Sequence, residues 1–163
     1  MGLVHKLSNG LYKVEQLLSV ILCFLMLFSL SAGVLFRYVF SAPLTWSDEV
    51  AIYSLVWLTF IGGSMSIKNQ SSAAVTIVLD RFQGTLKQVL LGFSFLIVLS
   101  FVGYIFYLSI IWLNSPNISI QRSNSMRMPM IYAYLSVPIS FFFIIIHSLD
   151  LFISNFRSEK ESV

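Results

Sequence analysis

The chain has 163 residues, 57% of them hydrophobic and 10% charged, with a net charge of +3 and a mean hydropathy of +0.85. So few charges could not cover that much apolar surface in water, whereas lipid accepts it directly, so the composition excludes an ordinary soluble domain. The basic residues are scattered between apolar runs instead of forming a concentrated footprint, which argues against nucleic-acid binding.

Residues 1–13 read as a short amphipathic lead. Leu3, Leu7 and Leu11 fall on one helical face, and Lys6 and Lys13 can reach lipid phosphates, so an interfacial helix is expected. The first long apolar run begins near Val14 and continues past signal-peptide length without a convincing cleavage site, so it is read as a retained span over about 14–36. Glu15 and Gln16 fall at its start, where charge is tolerated. Ser29 and Gly33 form a small-xxx-small pair that permits close helix approach. Cys23, the single cysteine, allows neither an intrachain disulfide nor a CxxC redox pair.

Residues 37–47 form a tight link. Arg37, Tyr38, Phe40 and Trp46 suit a membrane interface, Pro43 breaks the helix, and Ser47 is placed to cap the next one. Asp48 and Glu49 then occupy a first helical turn, where negative charge favours the positive end of the helix dipole. They serve the helix start alone, or the helix start and a partner as well. Within the second span, about 48–67, the apolar part from Val50 to Ile67 rises about 27 Å. It carries Trp57, whose indole N–H wants an acceptor, and a second small pair at Gly62 and Ser66.

The segment 71–83 is apolar but too short to cross, and it reads as an arm lying along the membrane surface. A third span is expected over about 86–113, then a polar loop with Arg122 and Arg127, then a fourth span over about 130–153. Pro138 should kink the fourth span or free a carbonyl near Tyr134. His147 and Asp150 lie one helical turn apart and are expected to pair. The fold expected is all-α, one membrane domain of four transmembrane helices with short interfacial helices. Lys6, Lys13, Lys68, Arg81, Lys87, Arg157 and Lys160 fall on one side, against Arg37, Arg122 and Arg127 on the other. The positive-inside rule therefore puts both termini in the cytoplasm and the 37–47 link outside.

Chemistry is sparse. His5 and His147 are far apart in sequence, no serine or cysteine sits beside a base in a recognisable pattern, and there is no glycine-rich phosphate loop, so an enzyme is not expected. Glu15, Arg37, Asp48 and Glu49 all fall at span edges, which leaves the chain without an evident ion or substrate path. That pattern points to a helper subunit packed on something larger. The competing class is a self-contained oligomeric channel or exporter, which would need a titratable residue in its pore. A membrane redox enzyme is disfavoured by one cysteine and two scattered histidines.

The run GVLFRYVFSAPLTWSDEVAIYSLVWLTFIGG resembles the small membrane subunit (DctQ-like) of tripartite ATP-independent periplasmic, or TRAP, transporters. The matching residues are Arg37, Tyr38, Pro43, Trp46, Ser47, Glu49, Trp57, Gly62 and Gly63, and the segment Ala73 to Phe82 looks like the family's following arm. The resemblance implies a bacterial inner-membrane scaffold that pairs with a large membrane subunit carrying the transport path and the sodium sites. This chain would hold no cofactor of its own. A periplasmic binding protein would deliver an organic acid, with sialic acid and C4-dicarboxylates among the candidates. Arg37, Tyr38, Trp46, Asp48, Glu49, Trp57 and Gly62 are the residues expected to face the partner or lipid, with an Arg37–Glu49 pair fixing the first two spans against each other.

Overall fold

The structure is a computed structural model and describes residues 2–69 and 85–158. The expected arm over 71–83 lies outside the described residues. Every regular element described is helical: α1 (Leu3–Tyr38), α2 (Ser47–Lys68), α3 (Thr85–Leu113), α4 (Pro116–Ile120), α5 (Ile131–Tyr134) and α6 (Ser136–Ser158). Among the described residues four stretches are long and apolar enough to cross a bilayer: Val4–Tyr38, Ser47–Lys68, Gly92–Leu113 and Ile131–Ile153. The protein is an all-α, multi-pass membrane protein, because a chain this apolar must satisfy its backbone polar groups within each helix.

α1 corrects the expected lead over 1–13. No proline interrupts Leu3–Tyr38, and the helix runs through Val14 without a break. Its 36 residues rise about 54 Å, against a hydrocarbon core of about 30 Å. α1 ends in a wide turn. Ser41 takes a left-handed backbone (φ 52°), which lets the Ala42 N–H donate to the Phe36 carbonyl at 3.0 Å, and Pro43 follows.

α2 begins one residue earlier than expected. Ser47 is its first helical residue and not its cap, and the Ser47 hydroxyl donates back to the Leu44 carbonyl at 3.1 Å. Asp48 and Glu49 fill the first turn and Lys68 the last, so both ends complement the helix dipole. The fourth apolar run divides into α5 and α6 at Leu135. Pro138 offers no N–H to the Tyr134 carbonyl, so the helix does not run regularly into this turn. Side chains occupy neighbouring carbonyls instead: the Ser136 hydroxyl donates to Ala133 at 2.6 Å and the Trp57 indole to Tyr132 at 3.0 Å.

α1 and α2 pack antiparallel, both pack on α6, and α3 packs against α6. Buried residues make up 44% of the apolar window of α6, against 22% in α2 and 11% in α1, so α6 is the core helix. Ser29 and Gly33 make the close approach expected of them. The Ser29 hydroxyl donates to the Ser47 carbonyl at 2.6 Å, and a Cβ on Gly33 would sit 2.6 Å from Ser47 Oγ. No such contact forms at Gly62, where an added Cβ would meet nothing within 4 Å. The outer face of α1, with Leu17, Val20 and Phe24 each more than 60% exposed, suits lipid.

Candidate functional site

The antiparallel pairing of α1 and α2 gives the bundle two polar ends. At the link end stand the last turns of α1, the first turn of α2 and the loop 121–130. At the opposite end stand the start of α1, the end of α2 and the second half of α6.

At the link end the loop 121–130 is a small hairpin. The Ser123 N–H donates to the Met128 carbonyl at 2.8 Å and the Met130 N–H to the Gln121 carbonyl at 3.2 Å, with Arg122 bridged to Pro129. Arg127 adopts a left-handed backbone (φ 53°), a conformation uncommon for residues other than glycine. Glu49, projecting from the first turn of α2, accepts three hydrogen bonds from this hairpin: from the Ser123 hydroxyl at 2.7 Å, the Ser125 N–H at 2.6 Å and the Met126 N–H at 2.9 Å. The Ser123 hydroxyl in turn accepts from the Met128 N–H at 3.2 Å. One carboxylate thus satisfies backbone donors that a tight turn leaves without partners. The Tyr134 hydroxyl donates to the Gln121 side chain at 2.8 Å, and the Tyr134 ring lies 4.6 Å from that of Trp112, which joins the hairpin base to α3.

The expected Arg37–Glu49 pair does not form. Glu49 is taken by the hairpin, and Arg37 reaches the adjacent Asp48 at 3.5 Å, both side chains being more than half exposed. An ion pair so open to solvent contributes little to stability. Tyr38 is 78% exposed and Trp46 half-buried. Trp57 does find an acceptor, the Tyr132 carbonyl, and so ties α2 to α5. The structure therefore brings Arg37 and Asp48 together and turns Glu49 toward the loop. Tyr38 and Gly62 are left with open surroundings.

The opposite end holds a second assembly that corrects two sequence expectations. Glu15 is not an edge residue in a tolerant setting, since it and His147 are both fully buried, with His147 Nε2 3.0 Å from Glu15 Oε2. His147 and Asp150 do not pair with each other. The Lys68 ammonium donates to Asp150 Oδ2 at 2.6 Å and to Ser8 Oγ at 2.7 Å. Ser8 Oγ also lies 2.8 Å from His147 Nδ1, which links the Lys68–Asp150 pair to the His147–Glu15 pair. His5 Nδ1 lies 3.1 Å from Asp150 Oδ1, and the Asn9 amide donates to His5 Nε2 at 3.1 Å. The Asn69 amide donates to the Tyr12 hydroxyl at 3.0 Å beside it.

One connected network thus spans α1, α2 and α6. Among the described residues no three His, Cys, Asp or Glu side chains converge as a metal ion requires. The network's chemistry is that of a fastening, in which each buried charge meets a counter-charge or a hydrogen bond. Sequence reasoning missed it, although a signal was present. Four spans with both termini on one side put the start of the first (Glu15), the end of the second (Lys68) and the end of the fourth (His147 and Asp150) at the same membrane face, and polar groups inside apolar runs seek one another.

Comparison with known proteins agrees with the architecture. The family of "Tripartite ATP-independent periplasmic transporters, DctQ component" matches residues 26–158. The isethionate TRAP transporter permease protein DctMQ of Oleidesulfovibrio alaskensis is 25% identical over 125 residues, which cover 71% of this chain and 19% of that protein. The chain therefore spans about a fifth of the length of this curated relative.

Proposed function

We infer the role from one premise: the chain belongs to the DctQ component family of tripartite ATP-independent periplasmic transporters. It is a transporter component and not an enzyme. On that premise it is the small scaffold subunit of a TRAP transporter, bracing a large membrane subunit that carries the transport path.

The observation that carries this reading is the relative named DctMQ, a single polypeptide in which the segment similar to this chain is 19% of the whole. In that protein the similar segment is joined to a larger one, which supports a place for this one beside a larger membrane subunit. The open space beside Gly62 on α2 and the exposed Tyr38 at the end of α1 are compatible with such docking. We place the complex in a bacterial inner membrane, with the termini on the cytoplasmic face and the link end outside, following the bias of basic residues. Sodium coupling and delivery by a periplasmic binding protein belong to the same reading. The substrate class is a small organic anion. The relative's isethionate is one such anion, and sialic acid and C4-dicarboxylates fall within the class.

Co-expression with the large membrane subunit tests the reading. The two should co-purify, vesicles holding both with the soluble component should accumulate the anion, and vesicles holding this chain alone should accumulate nothing. Flux through the chain alone would instead identify a self-contained channel. Within the complex, Arg37→Ala, Trp46→Ala and Glu49→Ala together should reduce uptake or assembly. If both stay at the level of the unaltered chain, the 37–49 motif has no part in the scaffold.

A further inference from the structure

We propose that the buried network opposite the link is a proton-binding latch: it holds the first turns of α1 on α2 and α6 while His147 and Glu15 share one titratable proton, and it opens when that proton passes to water. The proposal goes beyond the scaffold reading and does not depend on it.

Charge balance is the first argument. Glu15 and His147 are fully buried, Asp150 nearly so, and the Lys68 side chain is 13% exposed. With both carboxylates ionised, the network sets two negative charges against one fixed positive charge, on Lys68. Charges out of reach of water must be compensated among themselves. One proton, on the imidazole or on the Glu15 carboxyl, closes the balance. The other basic groups do not supply it. Lys6 and Lys13 are exposed on the outside of α1. Lys87 of α3 lies nine residues before Leu96, the level at which α3 meets Ser148 and Phe152, and Arg157 lies ten residues beyond His147. α5 carries no charged residue. His5 faces Asp150 with its side chain 40% exposed, so water answers much of any charge it takes.

The hydrogens give the second argument. Asp150 takes hydrogen bonds from Lys68, Ser8 and His5. A carboxylate only accepts, so the single hydrogen of Ser8 points to Asp150. His147 Nδ1, 2.8 Å from Ser8 Oγ, is then the donor in that contact, while Nε2 faces Glu15 Oε2 at 3.0 Å. An imidazolium beside a carboxylate fits both contacts, and so does a neutral ring beside a protonated carboxyl. Both forms hold the same one proton. When it leaves, Nδ1 becomes an acceptor and Ser8 has to turn its hydrogen from Asp150 to His147. A net negative charge stays in the bundle, where Glu15 Oε1 is buried without a hydrogen-bond partner among the described residues. The contacts weakened are those that hold α1: Ser8 to Lys68 and His147, and His5 to Asp150. His5, at the exposed end of this chain of contacts, gives the proton its way out.

The test uses the full chain in phosphatidylcholine nanodiscs. Isotope-labelled histidine and glutamate are read by magnetic resonance of the ring nitrogens and carboxyl carbons. Amide exchange at residues 7–12, corrected for its intrinsic pH dependence, reads the opening of α1. The chain has two histidines, so His5→Gln assigns their signals. At about pH 7 the unaltered chain should show a second ring hydrogen on His147 or a protonated Glu15. The closed latch keeps a proton that the opened, hydrated groups give up, so alkali opens it. Opening should rise by up to about tenfold per pH unit, the slope of one linked proton. Glu15→Gln keeps an acceptor for Nε2–H and leaves Lys68 balanced by Asp150, so it should abolish that rise. A neutral His147 facing an ionised Glu15 at about pH 7 in the unaltered chain overturns the proposal without recourse to any variant. An equal alkaline rise in the Glu15→Gln chain overturns it too, because the pair then only packs.

Discussion

The two polar ends of the bundle solve different problems with similar residues. At the link end one carboxylate, Glu49, accepts hydrogens chiefly from loop backbone, and the ion pair beside it, Arg37–Asp48, stands in solvent. At the opposite end Glu15, Lys68, His147 and Asp150 meet one another side chain to side chain, nearly or fully buried, across three helices. The first arrangement shapes a surface and the second fastens the interior. Burial makes the difference, because a buried charge that loses its partner has no water to fall back on, while an exposed one rehydrates.

That contrast can be broken by substitution. Glu15→Leu strands His147 inside the bundle and should destabilise the protein by about 3–5 kcal/mol, read as thermal unfolding in detergent. Adding His147→Leu should recover part of that loss, because the buried imidazole and carboxylate are then removed together. If the double variant is as unstable as the sum of the two singles, the pair is not coupled. Gly33→Val forces a side chain against Ser47 at the α1–α2 seam and should cost about 1–3 kcal/mol by the same measurement. Trp57→Phe removes one hydrogen bond, to Tyr132, and should cost about 1 kcal/mol. Arg37→Gln should change stability by less than about 1 kcal/mol. An effect of Arg37→Gln as large as that of Glu15→Leu would erase the distinction between the two ends.

What the sequence disclosed follows the same division. The four apolar runs, the turn at Pro43, the close approach at Ser29 and Gly33, and the need of Trp57 for an acceptor were legible, because each depends on local composition or helical spacing. The true partner of Glu49 was not, since Ser123 to Met126 lie some 75 residues away. Arg37, only 12 positions back in the chain, looked the natural choice. The Glu15–His147 contact joins residues 132 apart, and the i, i+3 spacing of His147 and Asp150 suggested a pairing that the geometry does not make. Helical spacing reports which residues share a face, but the neighbour that a face meets is decided by how the helices cross. The unbroken length of α1 was misread for a related reason: amphipathic character over Leu3, Leu7 and Leu11 signals a polar boundary, and a helix can cross such a boundary without ending.

α3 has α6 as its neighbour, and α6 is made after it, beyond the hairpin 121–130 and α5. A polypeptide emerging from its ribosome can close the hairpin of α1 and α2 as soon as Lys68 is clear. α3 must then wait in the bilayer, its mate not yet synthesised. A nascent chain stalled before Ile131 should therefore show the first two helices protected against cysteine labelling at their shared seam, with the third still accessible on every side.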